Sequence, residues 1–74
     1  MNTVKFYGWN KGVRKIKFIF LLHRQGGMTL KKAKEIKDKV VGGGEIVELN
    51  FDDSVLAEKI CSQAKEIGIK CELI

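Results

Sequence analysis

The segment VRKIKFIFLLHRQGGMTLKKAKEIKDKV, residues 13–40, decides the fold of this chain. It places a five-residue apolar run between basic residues, then a Gly-Gly pair, then a lysine-rich pattern with helical spacing. Residues 1–41 carry 11 Lys and Arg side chains against 2 acidic ones, a net +9. Residues 42–74 carry 3 against 7, a net −4, and the two halves together give the +5 of the chain. Because the positive charge and the largest apolar side chains share one segment, we expect that segment to bind a partner.

Length and composition indicate one small globular domain, residues 1–74. Of the 74 residues, 45% are hydrophobic and 31% are charged, which is too apolar for a disordered chain. A domain of this size buries only about 60% of its unfolded surface and has little room for a substrate cleft. We therefore expect no enzymatic activity and no cofactor.

The apolar runs and the cysteines bear on location. The longest apolar run, Phe18 to Leu22, is far shorter than the roughly 20 residues that cross a bilayer. The N-terminus lacks the apolar core of a signal peptide. Cys61 and Cys71 have no metal-binding or redox spacing, so we expect reduced core thiols in a cytoplasmic protein. A disulfide between them is the alternative.

Three segments alternate apolar and polar side chains, which is the period of a half-buried strand. They are residues 3–9, residues 45–51 and residues 69–74. In the last of them we expect Ile69, Cys71 and Leu73 to face the core.

Two segments repeat apolar residues every three or four positions, which is the period of an amphipathic helix. Thr29 is a suitable N-cap for the first, and the glycines at 42–44 stop it. Its predicted buried face consists of Leu30, Ala33, Ile36 and Val40. Asp52 or Asp53 caps the other helix. The predicted buried face of that helix consists of Leu56, Ile60, Ala64 and Ile67.

Residues 13–24 fit both a strand and a helix. As a strand, Ile16, Phe18 and Phe20 share one face, and β-propensity favours this interpretation. As a helix, the segment has two apolar faces. One consists of Phe18, Leu21 and Leu22, and the other of Val13, Ile16, Ile19, Phe20 and His23. The two interpretations predict β-β-α-β-α-β and β-α-α-β-α-β, and both give an α+β sandwich with helices on one face of the sheet.

The lysine-rich helix resembles a known family. Residues 27–40, GMTLKKAKEIKDKV, are similar to the signature G-L-x-L-K-E-A-K-x-L-V in the C-terminal domain of the bacterial ribosomal stalk protein. The matching residues are Gly27, Met28, Leu30, Lys31, Ala33, Lys34, Glu35 and Ile36. Residues 15–27 align without gaps with the first helix of that domain, and residues 51–74 with its last helix and strand. The resemblance covers nearly the whole chain at low identity.

The resemblance implies a stand-alone copy of that domain. Its fold would be a two-layer sandwich in the order β-α-α-β-α-β, with a three-stranded antiparallel sheet and three helices on one face. Residues 13–25 would then form a helix. In that family the first two helices recruit translational GTPases. Carried over by position, the binding surface here would use Lys15, Ile16, Ile19, Met28, Lys31 and Lys34.

Phe20 and His23 depart from the family pattern, because the family has basic residues at both positions. At these places the predicted surface carries an aromatic ring and an imidazole instead. The implied function is a non-enzymatic protein-interaction module. Its partner would be a protein with an acidic surface, such as a translation factor or a ribosome-associated factor.

Three other functions fit parts of the sequence. The lysines can bind nucleic acid, because phosphate contacts need mainly positive charge. An exposed apolar helix face can also support self-association, so we expect a monomer or a weak homodimer. The fold and the segment FLLHRQGGMT are similar to the ClpS protease adaptor, whose acidic Asn-Asp-Asp loop is absent here.

Catalytic interpretations have little support in the sequence. His23 is the single histidine, and no Cys or carboxylate stands at a spacing that would complete a site. Asp52 and Asp53 precede a predicted helix and fit a cap better than an acid/base pair. The glycines at 42–44 lack the Lys-Ser/Thr that follows a phosphate-binding loop.

Overall fold

A computed structural model describes residues 2–74 and has the element order β-α-α-β-α-β. The elements are β1 (Thr3–Trp9), α1 (Lys15–Arg24), α2 (Leu30–Val40), β2 (Val47–Asn50), α3 (Ser54–Glu66) and β3 (Ile69–Leu73). The α+β fold and the three-stranded antiparallel sheet are confirmed. The strand that β-propensity favours over residues 13–24 is wrong, because most of this segment forms α1.

Side-chain burial explains why this segment is a helix. Phe18, Leu21 and Leu22 recur at helical spacing and are all buried, and the ring of Phe18 lies 5.4 Å from that of Phe6 on β1. A strand would place Ile16 on the same buried face as Phe18, yet Ile16 is exposed. Tertiary packing therefore overrides the intrinsic β-propensity of the segment.

The sheet is centred on β1. Its order is β2-β1-β3, and both outer strands run antiparallel to β1. Val4 and Phe6 point into the core and are fully buried. Lys5 lies on the open face, where it pairs in register with Glu48 on β2 and Glu72 on β3. Alternating polar and apolar residues thus give the sheet one packed face and one charged face.

The helices form a second layer over the packed face. α1 contacts both α2 and α3 and is the middle helix, while α2 packs on β1 and β2, and α3 packs on β1 and β3. The largest fully buried side chains come from both layers. They are Phe6, Phe18, Leu22, Ile60, Ile69, Val4 and Val40.

The predicted caps of α2 and α3 are confirmed. The Thr29 hydroxyl accepts a hydrogen bond from the backbone N–H of Lys32, and the Asp53 carboxylate accepts one from that of Val55. α2 ends at Val40, and Gly42 follows with a left-handed φ of +96°. The glycine stop therefore works as its position predicts, because φ values in this region favour glycine.

One predicted strand boundary and two predicted buried positions need correction. β2 is shorter than residues 45–51, because the backbone N–H of Glu45 donates to the carbonyl of Lys39 and remains tied to the end of α2. Leu73 is 40% exposed, since it lies at the end of an outer strand. Leu30 is 46% exposed, because it occupies the first turn of α2, before the buried stripe begins.

The two cysteines are buried and unlinked, as expected for core thiols. Their Sγ atoms, one on α3 and one on β3, lie 3.5 Å apart. The Sγ of Cys71 is also 3.3 Å from the carbonyl oxygen of Cys61. The pair thus belongs to the contact between α3 and the sheet.

Candidate docking surface on the first two helices

Backbone hydrogen bonds fix the start of α1. The N–H of Asn10 donates to the carbonyl of Gly68 at 2.7 Å, and the N–H of Arg14 donates to the carbonyl of Ile67 at 2.9 Å. Among the residues that the structure describes, no side chain caps this helix. The turn between α3 and β3 therefore supplies the anchor that a capping residue usually gives, and it sets where the outer side of α1 points.

The outer side of α1 carries an apolar row. Ile16 and Phe20 are one turn apart and lie above one another, and they are 64% and 42% exposed. Arg24, a further turn along, places its guanidinium carbon 5.5 Å from the centre of the Phe20 ring. This cation–π contact holds the Phe20 ring and the Arg24 side chain together on the surface.

A hydrogen bond joins the end of α1 to the start of α2. The Nδ1 atom of His23 lies 2.6 Å from the carbonyl oxygen of Met28, so the protonated Nδ1 donates to that carbonyl. The backbone N–H of Met28 donates to the carbonyl of Leu22. His23 and Met28 are both half-buried. His23 therefore shapes the connection between the two helices.

The outer side of α2 is basic. Lys31, Lys32, Lys34 and Lys39 are exposed, and within residues 2–74 none of them forms an ion pair. Lys37 differs from them, because its Nζ lies 2.5 Å from the carboxylate of Asp38. That hydrogen bond lowers the pKa of Asp38. The free lysines are the charges that an approaching partner would meet.

Seven of the eight predicted surface residues are at least partly accessible. Lys15, Ile16, Phe20, Lys31 and Lys34 are exposed, and His23 and Met28 are half-buried. Ile19 is the exception, because it is only 6% exposed and belongs to the core. It lies one turn before His23, on the side of α1 that leads to α2. A middle helix buries side chains on both flanks, and this is why a surface position inferred from the resemblance is covered here.

Sequence reasoning missed the other flank of α1. A groove of about 430 Å³ runs between α1 and the C-terminal half of α3. Phe20, Leu21 and Ile67 give it apolar walls, and Lys17, Arg24 and Glu66 give it charges. The spacing of Lys17 and Arg24 on either side of Phe20 was visible in the sequence, but the facing wall comes from a helix more than 35 positions away.

Two negative findings concern the part of the chain that the structure describes. Residues 2–74 contain no cluster of His, Cys, Asp and Glu side chains able to hold a metal ion. No helix among them is long and apolar enough to cross a membrane. Comparisons with protein-family models, with curated proteins and with solved structures found no match to this chain.

Proposed function

We propose that this chain is a non-enzymatic, cytoplasmic protein-interaction module. The outer surface of α1 and α2 would dock an acidic protein surface that carries an apolar side chain. The observation that carries the proposal is the exposed row of Ile16 and Phe20 on α1, together with the exposed lysines of α2, the helix packed against it, which form no ion pair within residues 2–74 apart from that of Lys37. Apolar anchors rimmed by charge are the usual anatomy of a protein-binding hot spot.

The two kinds of residue have separate roles in this proposal. Complete burial of an Ile or Phe side chain is worth about 1.5–3 kcal/mol, and roughly half of that remains available at Ile16 and Phe20. The lysines speed the encounter with an acidic partner and orient it, and they add less to affinity. The contact with Arg24 holds the Phe20 ring before binding, so little side-chain freedom is lost on docking.

The resemblance to the stalk domain supplies the class of partner. In that family the corresponding helices recruit translational GTPases, and most of the corresponding positions are accessible here. We therefore propose a translation factor or a ribosome-associated factor as the partner. The ring of Phe20 would replace a charge–charge contact with an apolar one, so the partner would present an apolar side chain at this point.

The test is a binding titration between the intact chain and a purified bacterial translational GTPase of the elongation-factor class. A double variant, Ile16→Asp with Lys34→Glu, alters one apolar anchor and one lysine of the surface. It should weaken binding by at least about tenfold, which corresponds to about 1.4 kcal/mol. Ile19 is left unchanged, because a substitution there would damage the core.

A matched control lies on α3. Val55→Asp with Lys59→Glu makes the same change of charge at two other exposed positions. This control should bind as tightly as the wild type. Equal affinity of the wild type and both variants would contradict the proposed surface. Equal weakening by both variants would also contradict it, because the change in net charge would then explain the weaker binding.

Nucleic-acid binding is the competing function, and the unpaired lysines of α2 are the observation that favours it. A titration with single-stranded RNA at several salt concentrations separates the two. Binding through six to ten phosphates loses about 10³–10⁵ in affinity between 50 and 200 mM salt. A tight, strongly salt-dependent complex with RNA, together with no binding to the GTPase, would replace our proposal.

A further inference from the structure

The groove between α1 and α3 lies on the opposite flank of α1 from the lysine face of α2. Lys17, Phe20, Leu21 and Arg24 line it from α1, Glu66 lines it from the last turn of α3, and Ile67 lines it from the turn that follows α3. Its volume of about 430 Å³ falls within the range of about 300–1,000 Å³ that is typical of ligand pockets. A hydrogen bond of 2.9 Å from Gln25 Nε2 to Gln63 Oε1 bridges its walls.

The groove has an apolar interior. Leu21 is buried, Ile67 is half-buried, and Phe20 is exposed and lines the groove with Arg24 over its ring. The amide hydrogen bond between Gln25 and Gln63 satisfies polar groups at one point of the groove, so an entering apolar side chain need not displace them. The interior therefore suits an aliphatic or aromatic side chain rather than a polar ligand.

The charges along the groove are asymmetric. On α1, Lys17 and Arg24 stand seven positions apart, about 10 Å along the helix axis, with Phe20 between them. Neither forms an ion pair within residues 2–74, although Glu66 also lines the groove from α3. The Arg24 guanidinium is stacked on Phe20 and keeps its N–H donors available for a carboxylate.

We propose that this groove binds an amphipathic helix with two carboxylates seven positions apart and an apolar residue between them. The carboxylates would meet Lys17 and Arg24, and the apolar residue would enter between Phe20, Leu21 and Ile67. Glu66 repels negative charge on the α3 side, so the acidic edge of the helix faces α1. The inference rests on the proposed function for its choice of a protein partner, and it adds a binding site on the other flank of α1.

The test uses a fluorescent, alanine-rich helical peptide with two Glu residues seven positions apart and a Leu midway between them. We expect saturable binding to the intact chain. Lys17→Gln with Arg24→Gln should weaken it by about tenfold, since two charge pairs and their hydrogen bonds are lost. The control, Lys31→Gln with Lys34→Gln on α2, removes the same charge and should change the affinity by less than about twofold. Backbone amide shifts should map to α1 and to residues 63–67.

Several results would overturn the groove proposal. They are the absence of saturable binding, equal weakening by the two variants, a shift map centred on α2, and a stable dimer in sedimentation that excess peptide does not dissociate. A peptide in which Ser replaces the Leu should bind markedly less well, and equal affinity would also count against the groove. The GTPase titration does not involve the α3 wall. Failure of the peptide with intact GTPase binding thus removes the groove alone, and the reverse result removes the α1–α2 surface alone.

Discussion

Two isoleucines on one helix allow a direct test of how α1 sits on the protein. Ile19 is 6% exposed and Ile16 is 64% exposed, although they are only three positions apart. We expect Ile19→Ala to destabilise the fold strongly and Ile16→Ala to leave it almost unchanged. Because the substitution is the same and the helix is the same, propensity effects cancel and the difference reports burial.

The magnitude follows from the carbon atoms removed. Ile→Ala deletes three methylene equivalents, worth about 0.8 kcal/mol each when buried, and the remaining cavity adds to the cost. We therefore expect Ile19→Ala to lower the free energy of unfolding by about 3 kcal/mol. Ile16→Ala should stay within about 0.5 kcal/mol of wild type, since the lost contacts are few and alanine is the better helix former. A domain of this size has a stability of about 4–11 kcal/mol, so both variants should still fold.

The assay is guanidinium denaturation followed by circular dichroism. With a slope of about 2 kcal/mol per molar guanidinium, the Ile19 variant should lose about 1.5 M in midpoint, while the Ile16 variant moves by less than about 0.3 M. Equal losses in the two variants would refute the orientation of α1. A larger loss at Ile16 would show that Ile16 belongs to the core, and the proposed α1–α2 surface would then lose this anchor.

Two further predictions concern the contacts of β3 and of the turn before it. Burial, together with the hydrogen bond with Cys61, raises the pKa of Cys71 to about 12 from 9.0; the unfolded chain therefore releases a proton above pH 9 that the folded chain keeps. The free energy of unfolding should therefore fall between about pH 9 and pH 12 by up to about 1.4 kcal/mol per pH unit. Denaturation curves of Cys71→Ala over the same pH range should show a shallower fall, and equal slopes for wild type and variant would contradict the role of Cys71. Gly68 has a φ of +96°, and a Cβ there would lie 2.9 Å from the Cα of Val13, whereas Gly12 has a φ of +87° and open space around it. Gly68→Ala should thus cost more than the about 1 kcal/mol of backbone strain expected for Gly12→Ala, and equal melting temperatures of the two variants would argue against the close approach.

Much of the fold was predictable from local patterns. Alternation located all three strands, and Thr29 and the pair Asp52-Asp53 marked the starts of two helices, because such side chains bond the free backbone N–H groups; at the second helix the structure selects Asp53. Helix α1 was not predictable in this way. Its β-branched and aromatic residues favour a strand in isolation, and only packing against a sheet and two helices makes the helix stable.

The candidate site was predictable only in part. Local spacing places Ile16 and Phe20 one turn apart. The resemblance placed Ile19 on the surface, and spacing alone could not correct this because it does not tell which flank of α1 is covered. The groove could not be predicted, since Ile67 and Glu66 reach it through the placement of α3. That placement depends on contacts between distant parts of the chain, such as the hydrogen bond from Arg14 to Ile67.

Folding alone does not account for the apolar residues on the outer side of α1. Phe18, Leu21 and Leu22 already fill the space over the sheet. At Ile16 and Phe20 a lysine or glutamate would have a better helix propensity and would expose less apolar surface to aggregation. The same helix carries basic residues at several positions, so charge is compatible with its fold. We propose that these two side chains serve contact with a partner: the α1–α2 surface would use both of them, and the groove would use Phe20.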